Sequence, residues 1–316
     1  RAPHPPRLIH YLLIIQFNMA DEEKKKVIIA LWGPQDTGKT TTLRKLAQEF
    51  LKSITMEADL QVIFSYSGKK IAISTGEDYE GKFEKYITSY NSKEWKSAIF
   101  ATPTRTEELR SFISSSNENK EVSALLYKLS PDSQNSNNAT TLRKLSRVFL
   151  NLIEEDADIQ ISFLYKVYKE DKRIVISTAG DDGKTVKEGA DLFKALEADI
   201  LVTATRTRRK AEDQDDKDKT DDKDVSSIKA LEDLEQDKKV RTKAVWIYKS
   251  YLTYGKENHV GNTVLQESID KEQIETIRNT IHEEQAKTIK LVIDNIIEKW
   301  EKKAKGNSAS SAPTSK

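Results

Sequence analysis

The chain has 316 residues, a length that excludes a single small domain and allows two domains, or one large domain with appendages. Hydrophobic residues make up 37% and charged residues 33%, so some segments must be nearly all surface. The 52 Lys and Arg balance 51 Asp and Glu to a net charge of +1, and there is no cysteine. This excludes a global field for nucleic acid or anionic membrane, and it excludes disulfide scaffolds, Cys-ligated zinc and thiol nucleophiles. A chain without thiols suits a reducing compartment, and a cytoplasmic location is expected.

The apolar run Leu8 to Phe17, LIHYLLIIQF, is half the ~20 residues that a spanning helix needs. No small-residue cleavage pattern follows it, as a signal peptide would require. Met19 opens MADEEKKKVIIALWG; residues 1–18 therefore read as upstream sequence, and residues 1–24 as a leader outside the fold.

Val27 to Trp32 (VIIALW) reads as a buried strand. It runs into Gly33-Pro34-Gln35-Asp36-Thr37-Gly38-Lys39-Thr40 and then into an amphipathic helix beginning at Thr41, with Leu43, Leu46, Ala47 and Phe50 as its apolar stripe. This is G-x-x-x-x-G-K-[ST] in strand, loop, helix context. Gly33 and Gly38 permit a tight wrap whose backbone N–H groups converge on a phosphate, with the helix N-terminus adding partial positive charge. Lys39 is expected at the β and γ phosphates, and the Thr40 hydroxyl on Mg²⁺. Asp36 faces the γ-phosphate or caps the turn, the cap being favoured. The motif resembles that of the P-loop NTPase superfamily, and the resemblance implies a mainly parallel α/β sheet with flanking helices that binds ATP or GTP with Mg²⁺.

Beyond the motif the chain repeats itself. TTLRKLAQEFLKSITMEADLQVIF (41–64) lies over TTLRKLSRVFLNLIEEDADIQISF (140–163) at an offset of 99, with 13 of 24 positions identical. IAISTGED (71–78) then matches IVISTAGDD (174–182), and SAIFATPTRT (97–106) matches DILVTATRT (199–207). Each copy reads as helix, strand, strand, helix, strand. In the first copy the strands are Leu60–Phe64, Lys70–Ser74 and Ala98–Ala101. The expected organisation is two tandem related units: a P-loop unit at 25–117 and a second unit at 118–265. The STGED, STAGDD and TRT elements are also similar to small bacterial P-loop ATP-binding proteins, over most of residues 25–255.

In the second copy Gly38, Lys39 and Thr40 become Asn137, Asn138 and Ala139, so it lacks the phosphate lysine and the magnesium hydroxyl. Its charged insert, 208–239, reads as a solvated loop or charged helix. Ala244 to Tyr254 reads as a returning strand. A long helix follows within 266–304, striped by Ile274, Ile277, Ile281, Ile289, Val292, Ile293, Ile296 and Trp300. Residues 305–316 are expected to be a disordered tail.

The acid that assists the loop departs from the usual four apolar residues and Asp. Asp78 is preferred over Glu77 as the magnesium or water-orienting group, a turn carboxylate being the alternative. Arg105 recurs as Arg206, each at the end of a strand where ligands bind in open α/β sheets. Either makes a phosphate or base contact or a structural ion pair, and Arg206 is a candidate arginine finger if the two copies dock as an intramolecular pseudo-dimer. Thr41 joins residues 33 to 40 in the expected nucleotide contact.

His4, His10, His259 and His282 form no metal-spacing cluster, and no acyl-transfer motif appears. Three readings stand. They are an ATPase or GTPase whose slow hydrolysis drives a conformational or regulatory step; a nucleotide-binding sensor or interaction protein with little turnover; and a phosphotransferase. The lack of an N-K-x-D guanine motif tilts the choice to ATP. A protein partner or a homodimer is compatible with the sequence; neither a membrane nor nucleic acid is called for.

Overall fold

The computed structural model describes residues 26–33, 37–76, 80–90, 95, 97–116, 119–129, 137–152, 157–166, 170–180, 183–206, 227–249 and 271–310. Strand β1 (Lys26–Gly33) leads to α1 (Lys39–Ser53), β2 (Leu60–Tyr66), β3 (Lys69–Ser74), α2 (Glu80–Ser89) and β4 (Ile99–Ala101). Helices α3 (Glu107–Ser116) and α4 (Lys120–Lys128) follow. Then come α5 (Asn137–Leu152), β5 (Ile159–Lys166), β6 (Asp171–Ser177), α6 (Gly183–Ala195) and β7 (Ile200–Arg206), and finally α7 (Ser227–Gln236), β8 (Thr242–Tyr248) and α8 (Lys271–Ser310). The order helix, strand, strand, helix, strand thus runs from α1 to β4 and again from α5 to β7.

All eight strands join one sheet, in the order β4-β3-β2-β5-β6-β7-β1-β8. The sheet is mixed. β6, β7, β1 and β8 run parallel to one another, as do β3 and β4, while the central pairings β3/β2, β2/β5 and β5/β6 are antiparallel. Val62 on β2 lies opposite Ile161 on β5, which is its own counterpart at the offset of 99. The β4-β3-β2 and β5-β6-β7 series are therefore related by a half-turn about this pair, and their strands point to opposite edges of the sheet. β1 stands outside that symmetry: it lies between β7 and β8, on the side of the second copy.

Helices cover both faces, so the strands are apolar on both sides rather than alternating. Val27, Ile29 and Leu31 of β1 face the core shared with α1, α3, α4, α5 and α8. Ile28 and Ala30 face the one shared with α2, α6 and α7. The α1 stripe is buried throughout at Leu43, Leu46, Ala47 and Phe50. Thr75 and Thr178, the threonines of the repeated S-T pairs, make the same bond twice: Leu60 N donates to Thr75 Oγ1 and Ile159 N to Thr178 Oγ1, both at 2.8 Å. Each closes the start of its neighbouring strand.

Of the insert at 208–239, residues 227–239 are described, and α7 takes the charged-helix alternative with Ala230, Leu231 and Leu234 buried against the sheet; three apolar residues at helical spacing suffice to dock one face. One expectation changes. The tail at 305–316 is helical as far as Ser310. Its first residues continue the helix, since no proline occurs before Pro313. On α8 Ile289, Ile293 and Ile296 are buried and Val292 and Trp300 pack against the core. Among the described residues no helix is long and apolar enough to cross a membrane.

Candidate functional site

β1 ends at Gly33, with Arg206 of β7 beside it in register. On the other side Tyr248 of β8 pairs with Trp32, and the next residue, Lys249, donates its backbone N–H to the Trp32 carbonyl at 2.8 Å. Gly33 has φ +155°, and a Cβ there would overlap the Lys249 carbonyl. Gly38, at φ +71°, starts α1 in the left-handed region with no side-chain cap and no acidic residue in the first turn. Both glycines are required by backbone conformation and by close approach. The open first turn leaves N–H groups and a positive helix end for an anion.

Lys39 is buried and folds back across the loop, Nζ donating to the Gly33 carbonyl at 3.0 Å and to Thr37 Oγ1 at 3.3 Å. Thr40 and Thr41 lie half-buried in the first turn of α1. A second buried lysine reaches the same turn. Lys249 Nζ donates to the Gly38 carbonyl at 3.0 Å and to Thr42 Oγ1 at 2.5 Å, and stands 3.5 Å from His282 Nδ1. His282 comes from α8, its imidazole lying against Gly38, where a Cβ would overlap the ring. Burial, followed by the charge of Lys39, lowers the Lys249 ammonium from 10.5 to about 7. Burial and then Lys249 hold the imidazole near 4, so it is neutral at physiological pH.

Neither Lys249 nor His282 was singled out from the sequence as part of the site. Lys249 carries no local signal, being 216 residues from Gly33 and brought in only by the parallel pairing of β8 with β1. His282 did leave a trace: it stands on the buried line Ala286, Ile289, Ile293 and Ile296 of α8, where a polar residue interrupts an apolar stripe.

The other expected residues are distributed differently. Pro34, Gln35, Asp36, Glu77 and Asp78 lie outside the described residues. The strand leading to Glu77 and Asp78 is β3, five strand positions from β1, about 24 Å at the usual strand spacing, and its carboxyl end is at the opposite edge of the sheet. Arg105 follows β4, one position further. It pairs with Glu84 at 2.5 Å, both side chains exposed, and so is an ion pair remote from the loop. Its counterpart Arg206 ends β7 next to Gly33, with its backbone N–H donating to Ser227 Oγ at 3.1 Å. Arg105 and Arg206 thus end at opposite edges of one sheet, because the half-turn that relates the copies reverses strand direction. β6, whose sequence continues into Asp181 and Asp182, ends two positions from β1 and at the same edge; those two acids also lie outside the described residues.

For Mg²⁺ the expected ligand in the described loop is the Thr40 hydroxyl, which stands beside those of Thr37 and Thr41. One protein oxygen beside phosphate oxygens and water is chemistry that Mg²⁺ accepts, since the ion retains several waters. Among the described residues no group of three His, Asp or Glu is placed to hold a metal by itself. No protein-family model, curated protein or solved structure matches this chain.

Proposed function

We propose that the loop from Gly33 to Thr41 binds a nucleoside triphosphate, ATP in preference to GTP, with slow Mg²⁺-dependent hydrolysis that drives a conformational or regulatory step. The observation that carries this reading is the conjunction of Gly38 in the left-handed region, the uncapped first turn of α1 and Lys39 folded back onto the Gly33 carbonyl. Together they line the described part of the loop with donors, as cradling phosphates requires.

In this reading the loop amides and Lys39 hold the phosphates. Thr40 would hold Mg²⁺, which neutralises developing charge on the phosphate oxygens. Arg206 takes the role of charge-stabilising arginine, because β7 borders the loop and β4 does not. The two sequence copies act as one fused pair, in which α1 of the first meets β7 of the second beside β1.

A sensor with little turnover is the second reading. It is favoured by the distance of β3 and of Arg105 from the loop, which leaves Arg206, of the two repeated arginines, beside it. Calorimetric titration of MgATP and MgGTP, with phosphate release followed on the same samples, tests both readings. The expected result is one nucleotide bound per chain, weakened at least ~100-fold by Lys39→Ala. Binding without phosphate release selects the sensor, and binding that survives Lys39→Ala overturns the site.

A further inference from the structure

Phosphates held at the start of α1 leave the base of a nucleotide to be accommodated elsewhere along the carboxyl edge of the sheet. Val27, Ile29 and Leu31 of β1 point to the face that α1 covers, and Ile28 and Ala30 to the other. By strand alternation Trp32 therefore lies on the face away from α1. In register with it stand Thr205 of β7 and Tyr248, the last residue of β8. Thr205 is buried, its hydroxyl bonded to Ser227 Oγ at 2.7 Å. Tyr248 is 53% exposed, and its ring centroid is 4.8 Å from that of Trp32, the two planes inclined at 59°.

Among the described residues the other exposed large apolar side chains lie elsewhere: Tyr127, Leu152 and Leu291 on helices, and Met56 between α1 and β2. A single exposed ring needs no explanation, but this one has two further properties. It packs on a second ring, and both rings adjoin the start of the loop. Trp32 is the residue before Gly33, and the residue after Tyr248, Lys249, has its carbonyl against Gly33. This is the edge at which open α/β sheets bind ligands. Rings inclined in this way are not closed face to face, so with half of Tyr248 in solvent a π surface stays open. A flat heteroaromatic base covers such a surface by offset or edge-to-face contact. Every base has a π face, and the contact strengthens with ring area.

We propose that Trp32 and Tyr248 form a stacking platform for the base of the nucleotide whose phosphates the loop holds, and that the platform favours a purine over a pyrimidine by the larger area it covers. The inference rests on the nucleotide reading and adds the base subsite to it. Trp32, half-buried, fixes the platform on β1, and Tyr248 supplies the accessible ring.

The test uses the full chain with Tyr248→Ala and Tyr248→Phe, the second keeping the ring while removing the hydroxyl. Affinities for MgATP, MgCTP and magnesium tripolyphosphate are measured by calorimetry, and melting temperatures without ligand are measured alongside. In wild type MgATP is expected to bind more tightly than MgCTP. Tyr248→Ala is expected to lose at least about fivefold for MgATP and to stay within about twofold for tripolyphosphate, which has no base. Its unliganded melting temperature should stay close to wild type, and Tyr248→Phe should keep wild-type affinities. MgATP affinity within about twofold of wild type in Tyr248→Ala overturns the inference and leaves the nucleotide reading intact. Equal losses for MgATP and tripolyphosphate make Tyr248 a structural support of the loop and also overturn it, as does a loss in Tyr248→Phe equal to that in Tyr248→Ala. Equal wild-type affinities for MgATP and MgCTP overturn the purine preference. If wild type binds none of the three and Lys39→Ala changes nothing, the nucleotide reading itself fails and the inference goes with it.

Discussion

The starts of α1 and α5 carry the same TTLRKL segment, yet one is charged and the other neutral. Lys39 in α1 and Asn138 in α5 occupy equivalent positions and are both buried. Lys39 folds over the loop, whereas the Asn138 amide donates to the Pro103 carbonyl at 2.9 Å. The surroundings differ too: Thr42 faces Lys249 and His282, from β8 and α8, elements that stand outside the repeat. A duplicated scaffold thus presents two comparable helix starts, and what is added around each decides its chemistry. At one start a neutral amide bonds a carbonyl, while at the other two lysines meet.

The largest effect that sharpens this comparison is in the core. Phe50 and Phe149 are equivalent residues, fully buried on α1 and α5, and Phe→Ala at either is expected to cost about 3–5 kcal/mol in urea unfolding. Phe50 also touches Phe163 and Tyr165, and the Lys290 ammonium of α8 lies over its ring. Phe50→Ala should therefore weaken MgATP binding as well, by loosening α8 against the loop, while Phe149→Ala leaves binding unchanged. Equal binding losses in the two variants would remove the distinction between the helix starts.

The next effect is on pH. Lys249 falls from 10.5 to about 7 and His282 from 6.5 to about 4 in the fold. In both windows the unfolded chain binds more protons than the folded one, so stability rises with pH from about 7 to 10.5 and falls as pH drops from 6.5 through 4. The slope from Lys249 is at most about 1.4 kcal/mol per pH unit. Urea midpoints across pH 7 to 10 should show it in wild type and lose it in Lys249→Met; an unchanged profile in the variant would exclude Lys249 as its source.

The smallest effect belongs to Arg105. As an exposed ion pair its removal should cost under about 1 kcal/mol and leave phosphate release unaltered, whereas Arg206→Ala should slow release at least about tenfold. If the two variants behave alike in a steady-state phosphate assay, the assignment of Arg206 to the loop fails.

Much of this was legible in the residues. Val27 to Trp32, the stripe Leu43, Leu46, Ala47, Phe50 and the alternation of elements in each copy are short-range patterns, and periodicity records them directly. The glycines at 33 and 38 announce backbone positions that only glycine occupies without strain. Arg105 stands out in the sequence because it recurs as Arg206 at a strand end, yet the two lie at opposite edges of the sheet, since a repeat does not reveal how its copies pair. Joining β2 to β5 antiparallel turns the first copy's strand ends away from β1.

The sequence by itself determined the loop, the helix that follows it and the existence of a second copy without lysine, because each is written within a few turns or strands of chain. Only the tertiary structure decided that β1 lies between β7 and β8, that Arg206 rather than Arg105 borders the loop, and that Lys249 and His282 meet at Gly38. Those outcomes depend on strand order and direction in one sheet, which long-range burial selects and no local pattern encodes.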